Sequence, residues 1–157
     1  MRYFIDVEFN GFGGPLISLG IAPEDPKVAP FYEAVPCEEP DPWVAEHVMP
    51  VLQTQPISRS ELVKKLAAYL SADAAPEFVA DWPEDIVHLA SLMMTGPGWR
   101  MPSPTIRFDL LDLPIFDDES LSETPHNSLS DARALRDYVL KQEEPLPGLH
   151  AADATKS

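Results

Sequence analysis

Cysteine is nearly absent from this chain of 157 residues: Cys37 stands alone. That excludes an internal disulfide and any cysteine-built metal cluster, and nothing argues for an oxidising compartment. No apolar run approaches the roughly 20 residues that a membrane span needs, and the opening Met1-Arg2-Tyr3-Phe4-Ile5-Asp6-Val7-Glu8 lacks the uninterrupted apolar stretch of a signal peptide. The expectation is a cytoplasmic protein with no membrane partner. Internal repeats are lacking, and enrichment in proline is the only compositional bias. Basic residues are scarce as well, 11 Lys and Arg against 26 Asp and Glu, for a formal net charge of −15. This balance disfavours a protein that coats long duplexes, because nonspecific phosphate binding is driven by basic surface. It leaves room for an enzyme acting at a strand end, since acids loaded with divalent cations do not repel the substrate. A small basic patch, drawn from Lys64, Lys65, Arg100, Arg107, Arg133 and Arg136, would then suffice.

The length suits one domain, expected over 1–142, and the apolar share of 45% is that of a globular chain. Pattern fades from residue 143, so 143–157 is expected to be a disordered tail. Residues 2–8, 16–22 and 29–35 read as three strands, rich in β-branched and aromatic residues and joined by turn formers, which implies an antiparallel meander. A short helix over Trp43–Leu52 is limited by Pro50, and Ser58-x-x-Glu61 opens a better helix that runs to Leu70. Phe78-Val79-Ala80 is a brief strand, followed by a helix with Pro83 in its first turn that continues through Met94 to the stop at Gly96-Pro97-Gly98. Thr105–Leu110 forms a fifth strand and Ser128–Lys141 a last helix. The order predicts an α/β fold, a mixed sheet flanked by helices.

Residues two apart on a strand share a face, so Asp6 and Glu8 present paired carboxylates at the end of the first strand. If the strand ends there, both reach solvent; if they are buried, their mutual repulsion calls for a divalent cation. Asp85 sits in the first turn of its helix, where the helix dipole alone would account for it. Asp131 lies three residues after Ser128, which resembles a capping box with Asp in place of Glu. His126 precedes that helix, where a loop histidine is ordinarily solvated. His47 and His88 lie in helical patterns and read as structural.

Order and spacing join these residues. Asp6-x-Glu8 on the first strand, Asp85 after a mid-chain strand and His126-x-x-x-x-Asp131-Ala132-Arg133 at the last helix together resemble the three motifs of the DEDDh (DnaQ-like) 3′-to-5′ exonucleases. The opening Met1-Arg2-Tyr3-Phe4-x-Asp6-x-Glu8-Phe9, then Leu16-Ile17-Ser18-x-Gly20, then Trp43-Val44-x-x-His47-Val48-x-Pro50-x-Leu52 are similar to a small bacterial subfamily of exoribonucleases. The similarity spans about residues 1–140. Many relatives carry Asn four residues before the second-motif aspartate and an aromatic immediately before it; this chain has Asp81 and Glu84 there. Asp81 is thus the alternative second-motif acid, although its position at the strand end also suits a helix cap.

The resemblance implies a ribonuclease-H-like sheet on which Asp6, Glu8, Asp85 and Asp131 hold two Mg²⁺ or Mn²⁺ ions, with His126 as general base. The implied reaction releases nucleoside 5′-monophosphates from RNA 3′ ends. A DNA exonuclease of the same family and a binding module without catalysis are the alternatives. Phe9, Phe12 and Trp82 adjoin the motifs and are candidates to stack the terminal base, with core packing as the competing role. The apolar surface of Trp43–Leu52 reads as core, or else as a contact in a homodimer.

Overall fold

The computed structural model describes residues 1–144. In chain order it comprises β1 (Arg2–Phe9), β2 (Leu16–Pro23), β3 (Phe31–Ala34), α1 (Pro42–His47), a 3₁₀ turn (Met49–Val51), α2 (Arg59–Leu70), β4 (Glu77–Ala80), α3 (Pro83–Met93), β5 (Met94–Gly96), β6 (Trp99–Arg100), β7 (Arg107–Leu110), α4 (Asp118–Leu121) and α5 (Ser128–Glu143). Five strands form one mixed sheet in the order β3-β2-β1-β4-β7. β1 to β3 are the expected antiparallel meander, and β4 and β7 add in parallel beside β1. No helix among the described residues is long and apolar enough to cross a membrane.

The alternation along β1 divides the core. Tyr3, Ile5 and Val7 point into a layer with Leu62, Leu66 and Leu70 of α2 and Leu89 and Leu92 of α3. Phe4, on the other face, packs with Val79 against Ala132, Leu135 and Val139 of α5. Beside it, Ile17 and Ala34 meet Val44, Val48 and Leu52. Asp6 and Glu8 have the parity of Phe4 and therefore face α5.

The structure departs from the sequence expectations at three places. The helix expected over Trp43–Leu52 divides at Val48, because Pro50 has no amide to donate and its ring crowds the carbonyl four residues back; a 3₁₀ turn follows instead. The helix expected to reach Met94 ends at Met93, and the chain folds into a small β5-β6 hairpin around Gly98, which has a φ of +76°. α5 runs on through Glu143, whose carboxylate accepts from both terminal nitrogens of Arg2 at 2.6 and 2.7 Å. The disordered tail expected beyond this point lies outside the described residues from 145 onward.

Gly20 sets how closely α5 approaches the sheet. A Cβ at this position would lie 2.2 Å from the Ser128 carbonyl oxygen and 2.4 Å from the Leu129 nitrogen, both rigid backbone atoms. Two residues earlier on β2, Ser18 shares a buried hydroxyl hydrogen bond of 2.9 Å with Ser128. Gly20→Ala must push the first turn of α5 outward. The expected cost is about 1–3 kcal/mol, read as a Tm lowered by several degrees; an unchanged Tm would contradict this packing.

Candidate metal centre

Gly20 is the cross-strand partner of Asp6, and Ser18 that of Glu8. The first turn of α5 therefore rests on β2 directly beside the two carboxylates, and Asp131, at the end of that turn, projects onto them. Carboxylate oxygens of Asp6, Glu8 and Asp131 lie within 4.8 Å of one another. A β-bulge between Glu8 and Phe9 follows, a device that re-aims side chains at strand ends.

Asn127 is what frees Asp131 for this position. The sequence allows Ser128 and Asp131 to form a capping box, but the N-cap of α5 is Asn127, whose side-chain oxygen accepts from the Ser130 amide at 3.1 Å. Its side-chain nitrogen donates to the Val51 carbonyl and the Tyr32 hydroxyl, at 2.8 and 3.0 Å, tying the helix start to the 3₁₀ turn and to β3. Ser128 is engaged by Ser18 instead. His126, immediately before the cap, has a φ of +65°, a left-handed conformation that persists in a non-glycine residue only where its surroundings impose it.

Asp85 enters from the first turn of α3 and is 2% exposed. Asp81 is half-buried and does not cap the helix, contrary to the sequence expectation: the N-cap is Trp82, and no side chain satisfies that end. One oxygen each of Asp6, Asp85 and Asp131 is cut off from solvent with no hydrogen-bond partner among the described residues. Asp85 is not part of the trio within 4.8 Å, but its charge raises the Asp6 carboxyl next to it, and orphaned buried carboxylate oxygens are a costly arrangement for a fold to keep.

The electrostatics agree. Burial, followed by the charges of Asp85, Glu8, Asp131 and Asp81, holds the Asp6 carboxyl well above the usual range. Burial and then Asp131 and Asp118 push Glu8 up to about 8. Burial and then Asp81 push Asp85 up to about 8, and burial raises Asp131 to about 7. Asp118 of α4 was not singled out from the sequence; it adds negative potential to Glu8, Asp81 and Asp131 alike.

The donor set is oxygen only, which suits hard divalent cations such as Mg²⁺ and Mn²⁺. A cation supplies what the orphaned oxygens lack and relieves their mutual repulsion, so the residues present fit such an ion.

The aromatic candidates separate. Phe12 is 95% exposed and Trp82 55% exposed, and both line a cleft of about 350 Å³ that begins at Glu8. Phe9 touches the same cleft but is half-buried against the core and stacks on His88 at 5.2 Å between ring centroids. Trp43, which the sequence suggests as core or dimer contact, lines the cleft with half its surface exposed. Its ring lies edge-on to His126 at 4.9 Å and stacks on His47 at 4.7 Å. The excess apolar surface of that segment was the signal for it. Glu84 accepts from the Gly13 amide at 3.0 Å and the Trp82 indole at 3.3 Å, holding the glycine-rich turn 10–14 between β1 and β2 to the start of α3.

The basic residues do not converge beside the carboxylates. Lys65 pairs with Glu33 and Arg136 with Asp137. Lys64 and Arg100 share a groove with Arg59 on the α2 side, the face opposite Asp6 and Glu8. Arg107 lies on β7 and Arg133 is exposed on α5.

No protein-family model matches the chain, and no curated protein matches it.

These carboxyls have raised pKa values in the folded state, so between their unfolded values near 4 and folded values of about 7 to 8 the native state binds more protons than the unfolded one. Stability in chelator should then be highest near pH 4 to 5 and fall as pH rises to about 8. Mg²⁺ or Mn²⁺ at 100 times its Kd should restore about 2.7 kcal/mol at pH 8 and much less at pH 5, where protons compete. Thermal melts with and without metal at the two pH values measure this, and metal-independent melts at pH 8 would contradict it. Asp131→Asn should flatten the pH dependence in chelator.

Proposed function

We propose that the chain is a divalent-metal-dependent 3′-to-5′ exonuclease of the DEDDh type, with RNA as substrate. The observation that carries the reading is the meeting of Asp6, Glu8 and Asp131 within 4.8 Å, with the buried Asp85 acting on Asp6 from α3 and orphaned oxygens on Asp6, Asp85 and Asp131. Motif order and spacing lend it support beyond the cluster, and the five-stranded mixed sheet is compatible with a ribonuclease-H-like fold. The choice of RNA over DNA rests on the sequence resemblance alone.

In this reading Asp6, Glu8, Asp85 and Asp131 would hold two Mg²⁺ or Mn²⁺ ions, which when bound supply the positive charge that stabilises the attacking and departing oxygens of a phosphodiester. His126 stands at the rim of the cluster, with its backbone fixed by the Asn127 cap and its ring set against Trp43. From there its imidazole takes the proton of the attacking water as the general base. The exposed faces of Phe12 and Trp82 stack the terminal base without demanding one sequence. The product is a nucleoside 5′-monophosphate.

Asp6→Asn and His126→Ala should each lower Mg²⁺-dependent release of monophosphates by about 100-fold or more, while circular dichroism shows both variants folded. Trp82→Ala should instead raise KM, by about tenfold if it stacks one base at 1–3 kcal/mol. End-labelled RNA and DNA of one sequence decide the substrate. Full activity in either the Asp6 or the His126 variant, or in excess chelator, overturns the mechanism; DNA cleaved as fast as RNA overturns the RNA assignment.

A further inference from the structure

The sheet ends at β7, and among the described residues nothing pairs with its outer edge. Open edges of this kind invite pairing unless a bulge, proline or repelling charge blunts them. All four residues of β7 are exposed, including Phe108 at 39% and Leu110 at 49%.

The hydrogen bonds identify which groups are free. The Arg107 amide donates to Pro76 at 3.0 Å and the Leu111 amide to Ala80 at 2.8 Å, so the alternating residues 107, 109 and 111 turn their backbone toward β4. Ile106, Phe108 and Leu110 then direct their amides and carbonyls outward. The side chains alternate too. Phe108 stacks on Phe78 at 5.9 Å, on the α2 side, which places Arg107 and Asp109 on the α5 side.

We infer that β7 is a self-pairing edge, which joins two copies of this chain antiparallel about a two-fold axis through Phe108. The edge consists of Ile106 and the four residues of β7, Ile106-Arg107-Phe108-Asp109-Leu110, and in this register it complements itself at every position. Phe108 meets Phe108 of the second copy as a hydrogen-bonded pair, using the backbone groups that face outward. Ile106 meets Leu110 of the second copy, apolar against apolar. Arg107 meets Asp109 of the second copy, twice by symmetry, at the non-hydrogen-bonded positions where opposite side chains approach most closely. A shift of one residue along the edge would lose both the outward hydrogen bonds and the charge match. The isologous contact closes on itself, as a two-fold dimer must, and the two sheets become one sheet of ten strands.

Sedimentation equilibrium of the full chain at about 0.15 M salt, where repulsion between two acidic chains is screened beyond about 8 Å, tests the inference. The wild type should be a dimer. Arg107→Asp and Asp109→Arg, both at exposed positions, should each weaken it by about tenfold or more, since each sets like charges opposite one another twice. The doubly exchanged variant R107D/D109R should return to within about threefold of wild type. A wild type that stays monomeric up to about 100 µM, a dimer indifferent to the single exchanges, or a double exchange that fails to restore it each overturns the inference. Thermal melts of the variants separate misfolding from dissociation. The outcome is independent of nuclease activity.

Discussion

Like charges held together away from water are what the rest of this structure has to accommodate. Asp6, Glu8, Asp85 and Asp131 come from one strand and the first turns of two helices, and burial raises every one of their pKa values. No packing argument favours such a cluster, because apolar residues of similar volume would stabilise the same space. The surrounding features hold it in place nonetheless. Gly20 removes the one Cβ that would keep α5 off the sheet, and the Ser18–Ser128 hydrogen bond sets the helix at the level of Glu8. Asn127 supplies the cap, which leaves Asp131 free to join the other carboxylates.

The same local arrangement links the cluster to the cleft beside it. Asn127 reaches the 3₁₀ turn and Tyr32, and Tyr32 donates in turn to the Leu52 carbonyl, so the segment that carries Trp43 and His47 is fastened to the start of α5. His126, Trp43 and His47 then form one group of rings at the rim. In the cleft that Trp43 also lines, Glu84 joins the glycine-rich turn to Trp82. In the proposed reaction, the group that takes the proton is thus positioned by the same Asn127 cap that frees Asp131, and Trp82 by a separate contact with Glu84.

Much of this was legible in the sequence where a local rule decides. The two-residue period of β1 places Asp6 and Glu8 on one face, and the turn formers between apolar stretches mark the meander. What was illegible depended on contacts distant in the chain. Ser128 looks like a cap until Ser18, 110 residues away, claims its hydroxyl. Trp43 looks like core because composition does not reveal which side of a short helix faces a cleft. The β5-β6 hairpin hides in a helical pattern whose end is set by a glycine turn, and the scattered basic residues look like a patch only while their elements are unplaced.

The strong acidity of the chain follows partly from the cluster itself, and the cations that would answer it are the link from fold to chemistry. A crystal of the protein soaked with Mn²⁺ and a nucleoside 5′-monophosphate, examined by anomalous scattering, tests that link most directly. The account predicts Mn²⁺ among Asp6, Glu8, Asp85 and Asp131, with the phosphate beside it and the base against Trp82 or Phe12. A cluster that stays free of Mn²⁺ at millimolar concentration, or one that takes its second-motif ligand from Asp81 while Asp85 remains unbound, would contradict it.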